Sequence, residues 1–209
     1  MIRYILFLIS IILLFNINTA AAQDNAPYVK FSGGFVINDQ PQDFSDFWSM
    51  GWQGRTAYGV PLTLLVSAEF EVGFHHFSFD EGAFLEALGV EPGLFAIESG
   101  AIQIYTAFLN GVVHYTDEGA FRPFLKAGGG LFVTREDDLF IVDGNDESFA
   151  LFGEDLVDYS FGFQLLGGFD YYLNDRTAVF LHAGIMQGYP GGDLIRTYPV
   201  NIGVKLAVN

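Results

Sequence analysis

The sequence predicts an all-β protein, an eight-stranded antiparallel up-and-down barrel, and three observations support this prediction. Apolar and polar residues alternate with a period of two along several segments, which is typical of strands with two unlike faces. The connections between these segments alternate between short and long. The chain of 209 residues is also rich in glycine and aromatic residues, with 25 Gly, 23 Phe and 10 Tyr.

Eight strands can be assigned in order along the chain. The alternation is clearest in three segments, 65–78, 159–171 and 198–208. Five further segments complete the set: 27–38, 52–61, 101–116, 121–135 and 176–188. Each has the length and the β-branched or aromatic content of a strand. Because the number of strands is even, both ends of the barrel domain are expected at the same rim.

The connections predict which rim is which. Short turns are expected at 61–63, 116–119 and 173–175, and long loops at 39–51, 79–100, 136–158 and 189–196. Short turns on one rim and long loops on the other are typical of outer-membrane barrels, in which the turns are periplasmic and the loops extracellular. The alternation therefore predicts a transmembrane barrel with extracellular long loops.

The composition of the two strand faces decides which of them is inside. The apolar face is large and aromatic, whereas the polar face is mostly small residues with a few charges, which suits a narrow, filled interior. A wet outer face, as in a soluble lipocalin-like barrel, would carry more charge. Buried charges must be paired, so we expect a structural polar network inside the barrel, formed by Lys30, Glu69, Glu71, Arg122, Lys126, Asp170 and Lys205.

The start of the chain predicts export. Residues 1–22 combine Arg3, an apolar run and a small-residue stretch ending at Ala22, which is the pattern of a cleaved secretory signal peptide. Residues 23–209 then form a single barrel domain. The chain has no cysteine, which excludes disulfides and thiol chemistry, and its formal charge of −16 argues against a nucleic-acid partner.

The acidic residues are concentrated in the predicted long loops. Most of the 25 acids lie there: Asp39, Asp43, Asp46, Asp80, Glu81, Glu86, Glu91, Glu98, Glu136, Asp137, Asp138, Asp143, Asp146, Glu147, Glu154, Asp155, Asp158 and Asp193. An acidic rim of this kind can recruit divalent cations or repel anionic partners, and the plainer interpretation is a solvated loop surface.

Three segments carry a resemblance to a known family: Tyr28–Phe35, Phe121–Gly130 and Tyr198–Val204. In these segments the chain resembles the outer membrane protein β-barrel domain family, the small OmpA/OmpX-like barrels. The resemblance implies an integral protein of the Gram-negative outer membrane, in contact with lipid and lipopolysaccharide and monomeric. Because the family includes adhesion proteins, resistance proteins and lipid-modifying relatives, it offers no functional site to carry over.

The residues that can carry chemistry favour structural roles. His75 and His76 point to opposite faces, and His114 and His182 lie on other strands, so hydrogen bonding is expected rather than metal coordination. Glu69 and Glu71 lie roughly 7 Å apart on one face, and ion pairing is favoured over acid–base catalysis. The segment 143–148 resembles part of a calcium loop. No catalytic, cofactor-binding or metal-binding residue is assigned, and no cofactor is expected.

Aromatic residues at the strand ends predict the membrane boundaries. Interfacial anchoring is expected from Trp48, Trp52, Tyr159, Tyr171 and Tyr198. The second long loop also carries apolar residues, which predict a short lid over the lumen or a surface for a partner: Phe84, Leu85, Leu88, Leu94 and Phe95.

The sequence therefore favours a non-enzymatic outer-membrane barrel with a structural or surface-interaction role exerted through its acidic extracellular loops. Three alternatives remain open at this point. They are a small-solute channel, a lipid-active outer-membrane enzyme that uses a cluster such as Ser67 or Ser78 with a histidine and an aspartate, and a soluble lipocalin-like periplasmic ligand carrier.

Overall fold

A computed structural model describes residues 26–48, 50–89, 95–137, 139–143, 148–152 and 156–208. Its strands in chain order are β1 (Tyr28–Gln40), β2 (Met50–Pro61), β3 (Val66–Phe77), β4 (Phe95–Ser99), β5 (Ile102–His114), β6 (Phe121–Glu136), β7 (Leu139–Asp143), β8 (Ser148–Phe152), β9 (Leu156–Asn174), β10 (Thr177–Gly188) and β11 (Ile195–Ala207). Two short helices, α1 (Gln42–Phe47) and α2 (Glu81–Leu88), and a 3-10 turn (Pro190–Gly192) complete it. The predicted signal peptide, 1–22, lies outside the described residues and stays a prediction.

Eight strands close into an antiparallel barrel in the order β1-β11-β10-β9-β6-β5-β3-β2. The first and last strands complete the wall, because β1 pairs with β11 from Tyr28 opposite Ala207 onward. Short connections join β2 to β3, β5 to β6 and β9 to β10, at one rim. The predicted all-β, up-and-down architecture is confirmed, and every predicted barrel strand overlaps an observed one.

The long connections contain more regular structure than the sequence predicted. The first holds α1, the second α2 and β4, and the third β7 and β8. These three extra strands form a separate sheet in the order β4-β7-β8, which joins two loops to each other. Strands of five residues carry too little alternation to be recognised, so 79–100 and 136–158 were wrongly expected to be loops throughout.

Side chains alternate around the wall as a membrane barrel requires. On β9 the outward residue Phe161 is 68% exposed, whereas Gln164 and Asp170 point inward and are buried. Apolar groups that are exposed on a barrel surface contact lipid rather than water. The outer face carries such groups on every side of the barrel, including Phe31, Phe70, Leu109, Leu125, Phe163, Leu181 and Ile202. Among the described residues no helix is long and apolar enough to cross a membrane.

Glycine at two inward positions makes room for large rings in the bore. A Cβ added at Gly188 would lie 2.5 Å from the Phe132 ring, and one added at Gly59 would lie 2.1 Å from the Tyr28 ring. Any side chain at either position would overlap the ring. The small residues of the polar face are therefore the complement of aromatic residues that fill the interior from neighbouring strands.

Candidate functional site

The polar interior is organised around two glutamates of β3. Glu69 and Glu71 are fully buried, lie on the same face of the strand, and both accept hydrogen bonds from the Lys126 ammonium of β6. Each acid has a second cation. Lys30 Nζ lies 3.3 Å from Glu69 Oε2, and Arg55 Nη1 lies 3.0 Å from Glu71 Oε1. Ion pairing from three other strands thus neutralises the two carboxylates.

Hydrogen bonds from neutral amides complete the surroundings of the Glu71 carboxylate. The Gln164 amide donates to Glu71 Oε1 at 2.8 Å and to the Asn110 side-chain oxygen at 2.9 Å. Gln164 also accepts a 2.8 Å hydrogen bond from Arg55, whose Nε donates to Gln53 Oε1. Both oxygens of Glu71 thereby have cationic or amide donors from other strands, which is the condition under which buried charge is tolerated.

A third buried carboxylate, Asp170 of β9, links this network to the turn-side end of the barrel. It accepts a 2.7 Å hydrogen bond from Lys205, which also donates to the Tyr172 hydroxyl at 2.9 Å. His114 Nε2 lies 3.2 Å from Asp170 Oδ2, and Lys30 lies 4.0 Å from Oδ1. Ion pairs therefore cross-link the interior, and their residues come from β1, β2, β3, β6, β9 and β11.

Six of the seven predicted network residues lie together in this cluster, and Arg122 does not. Its Nε donates to the Gly119 carbonyl at 3.1 Å, and its guanidinium lies 4.3 Å from the centre of the Tyr172 ring, at the turn-side mouth. Arg55 pairs with Glu71 instead. Sequence reasoning missed Arg55, although outward Trp52 and the period of two place Gln53 and Arg55 on the inner face.

The histidines divide between the two faces. His76 points outward beside Trp52, and His75, His114 and His182 are buried in the bore. His114 bonds to Asp170, but neither ring nitrogen of His75 or His182 has a hydrogen-bond partner among the described residues. For these two the expectation of hydrogen bonding was wrong, and the His182 ring packs against Phe124 and Phe180 instead. Among the described residues no group of three acids or histidines is arranged to hold a metal ion.

An apolar layer closes the bore on the loop side of the ion pairs. It consists of buried side chains from six strands: Val36, Phe77, Ile102, Ile104, Phe108, Phe132, Met186 and Ile195. Each of these residues points inward on its strand, and buried threonines, Thr106 and Thr134, lie beside them on the inner faces of β5 and β6. Water and ions entering from the loops meet this layer before they reach Glu71.

Two loop helices cover the apolar layer with an aromatic lid. The ring centre of Phe47, at the end of α1, lies 5.3 Å from that of Phe84 in α2, and the ring centre of Phe79 lies 4.9 Å from that of Trp48. The Trp48 indole donates to the Gly100 carbonyl and packs onto the apolar layer. Phe84 and Leu85 thus lie in the lid, whereas Leu88 is exposed, and Leu94 and the Phe95 side chain lie outside the described structure.

The predicted interfacial aromatics fall at two levels of the outer face, with one exception. Trp52, Tyr159 and Tyr198 are exposed near the loop ends of β2, β9 and β11, and Tyr171 is exposed near the turn end of β9. Trp48 was wrongly placed at the lipid interface. The short helix α1 ends beside it and turns the indole inward over the bore.

A cavity lies at each mouth of the barrel. The turn-side cavity, about 60 Å³, is lined by cationic and aromatic groups that include Arg122, Arg176, Lys205 and Tyr172. The loop-side cavity, about 210 Å³, lies between the ends of β5, β6, β9 and β11. Its lining combines apolar groups with three acids, Glu136, Asp158 and Asp193. Most of the calcium-like segment 143–148 lies outside the described residues.

The fold matches solved outer-membrane barrels. Neisserial surface protein A superposes with a TM-score of 0.52 at 16% sequence identity, over 87% of this chain and 97% of that chain. A major outer membrane protein from Thermus thermophilus gives 0.50 at 12% identity, over 88% and 98%. No protein-family profile matches the chain, and no curated protein matches it by sequence. The chain has the fold of the small eight-stranded outer-membrane barrels.

Proposed function

We propose that this protein is a non-enzymatic, integral barrel of the Gram-negative outer membrane that acts through the acidic surface at its loop end. The observation that carries the proposal is the closed bore. Ion pairs fill one half of the interior, an apolar layer fills the other, and a helical lid covers that layer. With its interior given over to stability, the barrel offers its loops for contact with other molecules.

A channel is disfavoured because a solute would have to displace both halves of this interior. The eight side chains of the apolar layer carry no charge and no oxygen atom that could replace the hydration shell of an ion. Moving Lys126 or Arg55 would take from a buried carboxylate one of its two cations, which costs several kcal/mol. We therefore expect no single-channel steps when the purified protein is reconstituted in planar bilayers. Discrete, reproducible conductance would revive the channel alternative.

A lipid-active enzyme would need a serine bonded to a histidine beside an opening in the wall. His114 is bonded to Asp170, but Asp170 is also held by Lys205, and no hydrogen bond joins Ser67 to His114 among the described residues. The wall is continuous at this level, because β5 and β6 pair as far as His114 opposite Phe124, and the Tyr115 amide donates to the Pro123 carbonyl. These contacts favour a structural role for all three polar residues.

A soluble carrier is disfavoured by the outer face. A lipocalin-like barrel presents polar residues to water and keeps a hollow apolar interior for its ligand. Here the arrangement is reversed, with large apolar groups outside and ion pairs within. Exposed apolar surface of this extent is stable in lipid and prone to aggregation in water.

The expected partners follow from the same arrangement. The outer face would contact membrane lipid, and the acidic loops would approach the phosphates of lipopolysaccharide through bridging divalent cations. We propose a monomer, exported with a cleaved signal peptide, with no nucleic-acid partner. The aromatic residues Trp52, Tyr159, Tyr171 and Tyr198 would set its depth in the bilayer.

The absence of cysteine from the sequence allows a direct test of this placement. Glu86→Cys puts a single thiol on the exposed face of α2, and Asp175→Cys puts one on a short turn of the opposite rim. A membrane-impermeant maleimide added to intact cells should label the first variant and not the second, and both should be labelled after lysis. Folding is checked by the mobility of unboiled and boiled samples in detergent gels, since intact barrels resist cold detergent.

Labelling of the turn cysteine on intact cells would reverse the proposed orientation. Recovery of unlabelled protein in the soluble periplasm, with no heat-dependent shift, would exclude membrane insertion altogether and favour the carrier.

A further inference from the structure

The loop-side cavity has the lining of a binding site for an organic cation. Its volume is about 210 Å³. Trp48, Ile102 and Ile195 lie on the side of the apolar layer, with Pro41 and Pro190 beside them. The acids Glu136, Asp158 and Asp193 contribute the charge. The cavity thus combines apolar surface and carboxylates in one lining.

The three acids have no cation of their own. Among the described residues no basic side chain forms an ion pair with Glu136, Asp158 or Asp193. The two neighbouring arginines are engaged elsewhere. Arg196 binds Asp39, with Nε 2.6 Å from Oδ2, and Arg135 Nε lies 3.5 Å from Asp137 Oδ1. Three carboxylates around one partly enclosed cavity repel one another unless a cation lies between them.

A buried hydroxyl also faces this cavity without a partner. Thr134 lines the cavity, is only 3% exposed, and its hydroxyl takes part in no hydrogen bond found among the described residues. This oxygen is not one of the fully buried polar atoms that lack a partner, so it is accessible from the cavity and can bond to a molecule held there. A bound donor would satisfy the Thr134 oxygen, and this is evidence for a ligand that does not depend on the acids.

We propose that the cavity binds an alkylammonium group, meaning a primary ammonium carried on a short saturated carbon chain. The ammonium has three N–H donors, enough for the Thr134 hydroxyl and the neighbouring pair Glu136 and Asp158, and Asp193 adds negative charge to the same lining. The carbon chain would lie against Trp48 and the two isoleucines and lose its contact with water. A bare divalent ion would use only half of this lining, and no described group of acids and histidines has the arrangement of a metal site.

The same chemistry can come from a free alkylamine or from a lysine side chain of another protein. The cavity can bind its ligand whatever the function of the protein is. The inference rests on the proposed function only in placing the cavity at the cell surface. Binding is therefore measured on the purified, folded full-length barrel in zwitterionic detergent, where the result is independent of the protein's location in the cell.

The experiment is isothermal titration with n-butylamine hydrochloride near neutral pH. Saturable binding of one equivalent is expected, with no heat from n-butanol, which has the same chain without the charge. The double variant Asp158→Asn/Asp193→Asn should weaken binding by roughly tenfold or more, as expected for the loss of two partly screened ion pairs. Asp175→Asn, which removes one acid from the opposite rim, should bind as the parent does.

Further arms of the titration identify the source and exclude alternatives. Tighter binding of N-acetyl-lysine amide than of butylamine would assign the site to a lysine side chain, and the reverse would assign it to a free amine. The proposal is overturned if butylamine does not saturate, if the double variant binds as the parent does, or if calcium chloride titrates the same acids more tightly than the amine. Folding of every variant is verified by its heat-dependent gel mobility.

Discussion

Replacing Lys126 with methionine tests whether the ion-pair cluster is needed for the stability of the barrel. Methionine keeps the length and apolar stem of lysine and removes only the charge, so packing against the neighbouring strands is retained. The Lys126 ammonium bonds to both Glu69 and Glu71, and all three side chains are buried. In the variant two buried carboxylates lose a shared cation at the same time.

The remaining contacts set the size of the effect. Glu69 keeps Lys30 at 3.3 Å and Glu71 keeps Arg55 at 3.0 Å, so neither carboxylate is left alone. Removing one partner of a buried pair destabilises proteins by about 3 to 5 kcal/mol, and the retained cations place the expected loss near the lower value, about 3 kcal/mol.

The assay is equilibrium unfolding by urea of the barrel in lipid vesicles, followed by tryptophan fluorescence. Adding Glu69→Gln to the variant removes one of the two acids that have lost their bond to Lys126 and should recover part of the lost free energy of unfolding, since the two changes are coupled. Arg176→Met, which removes a cation from an exposed turn, is the matched control. A change below about 1 kcal/mol for Lys126→Met would refute the argument, because that is the size expected of an exposed pair.

Two further predictions concern the apolar layer and the loop-side cavity. Gly188→Ala places a methyl group where the Phe132 ring lies 2.5 Å away, so the free energy of unfolding in urea should fall by about 1 to 3 kcal/mol. Gly54→Ala, which has no atom within 4 Å of the added methyl group, is the control and should be nearly neutral. Equal effects of the two substitutions would contradict the close packing of the layer. Burial and the neighbouring Asp158 raise the pKa of Glu136, which lies beyond the aromatic rim at the loop end of β6. Because ammonium binding needs the carboxylate, butylamine affinity should fall as pH drops through that raised pKa, and calorimetry of Glu136→Gln should show a weaker pH dependence than the parent.

The barrel itself could be predicted from the sequence because its signal is repeated. Apolar and polar residues alternate along each strand, and short and long connections alternate along the chain. Because these signals are independent, an error in one segment does not change the predicted architecture. The buried partners of Glu69 were also predictable, since only a few cations fall on the polar face. Arg122 was wrongly included because only the face of the strand on which it lies was considered, and not its position along the strand. It lies four residues from Lys126, which is about 13 Å along the strand. At that distance the two side chains cannot share the same carboxylate.

Other features depended on contacts that no local pattern records. The apolar layer is built from inward residues such as Phe77, Phe108 and Phe132, which interrupt the polar face of their strands and look like outward residues in the sequence. Trp48 turns inward only because α1 and α2 pack against each other, with the Asp80 amide bonded to the Phe47 carbonyl. The pairing of β4 with β7 joins two loops that are far apart in sequence.

The division of the interior into two layers separates stability from recognition. The ion pairs lie toward the turn side, the cavity with its acids lies at the loop side, and the apolar layer lies between them. Electrostatic coupling across that layer would reach interior carboxylates that are already neutralised by close cations. The loop surface can therefore change its charge without disturbing the ion pairs that hold the wall together. This independence explains how one chain combines an acidic rim with an interior whose charges are nearly balanced.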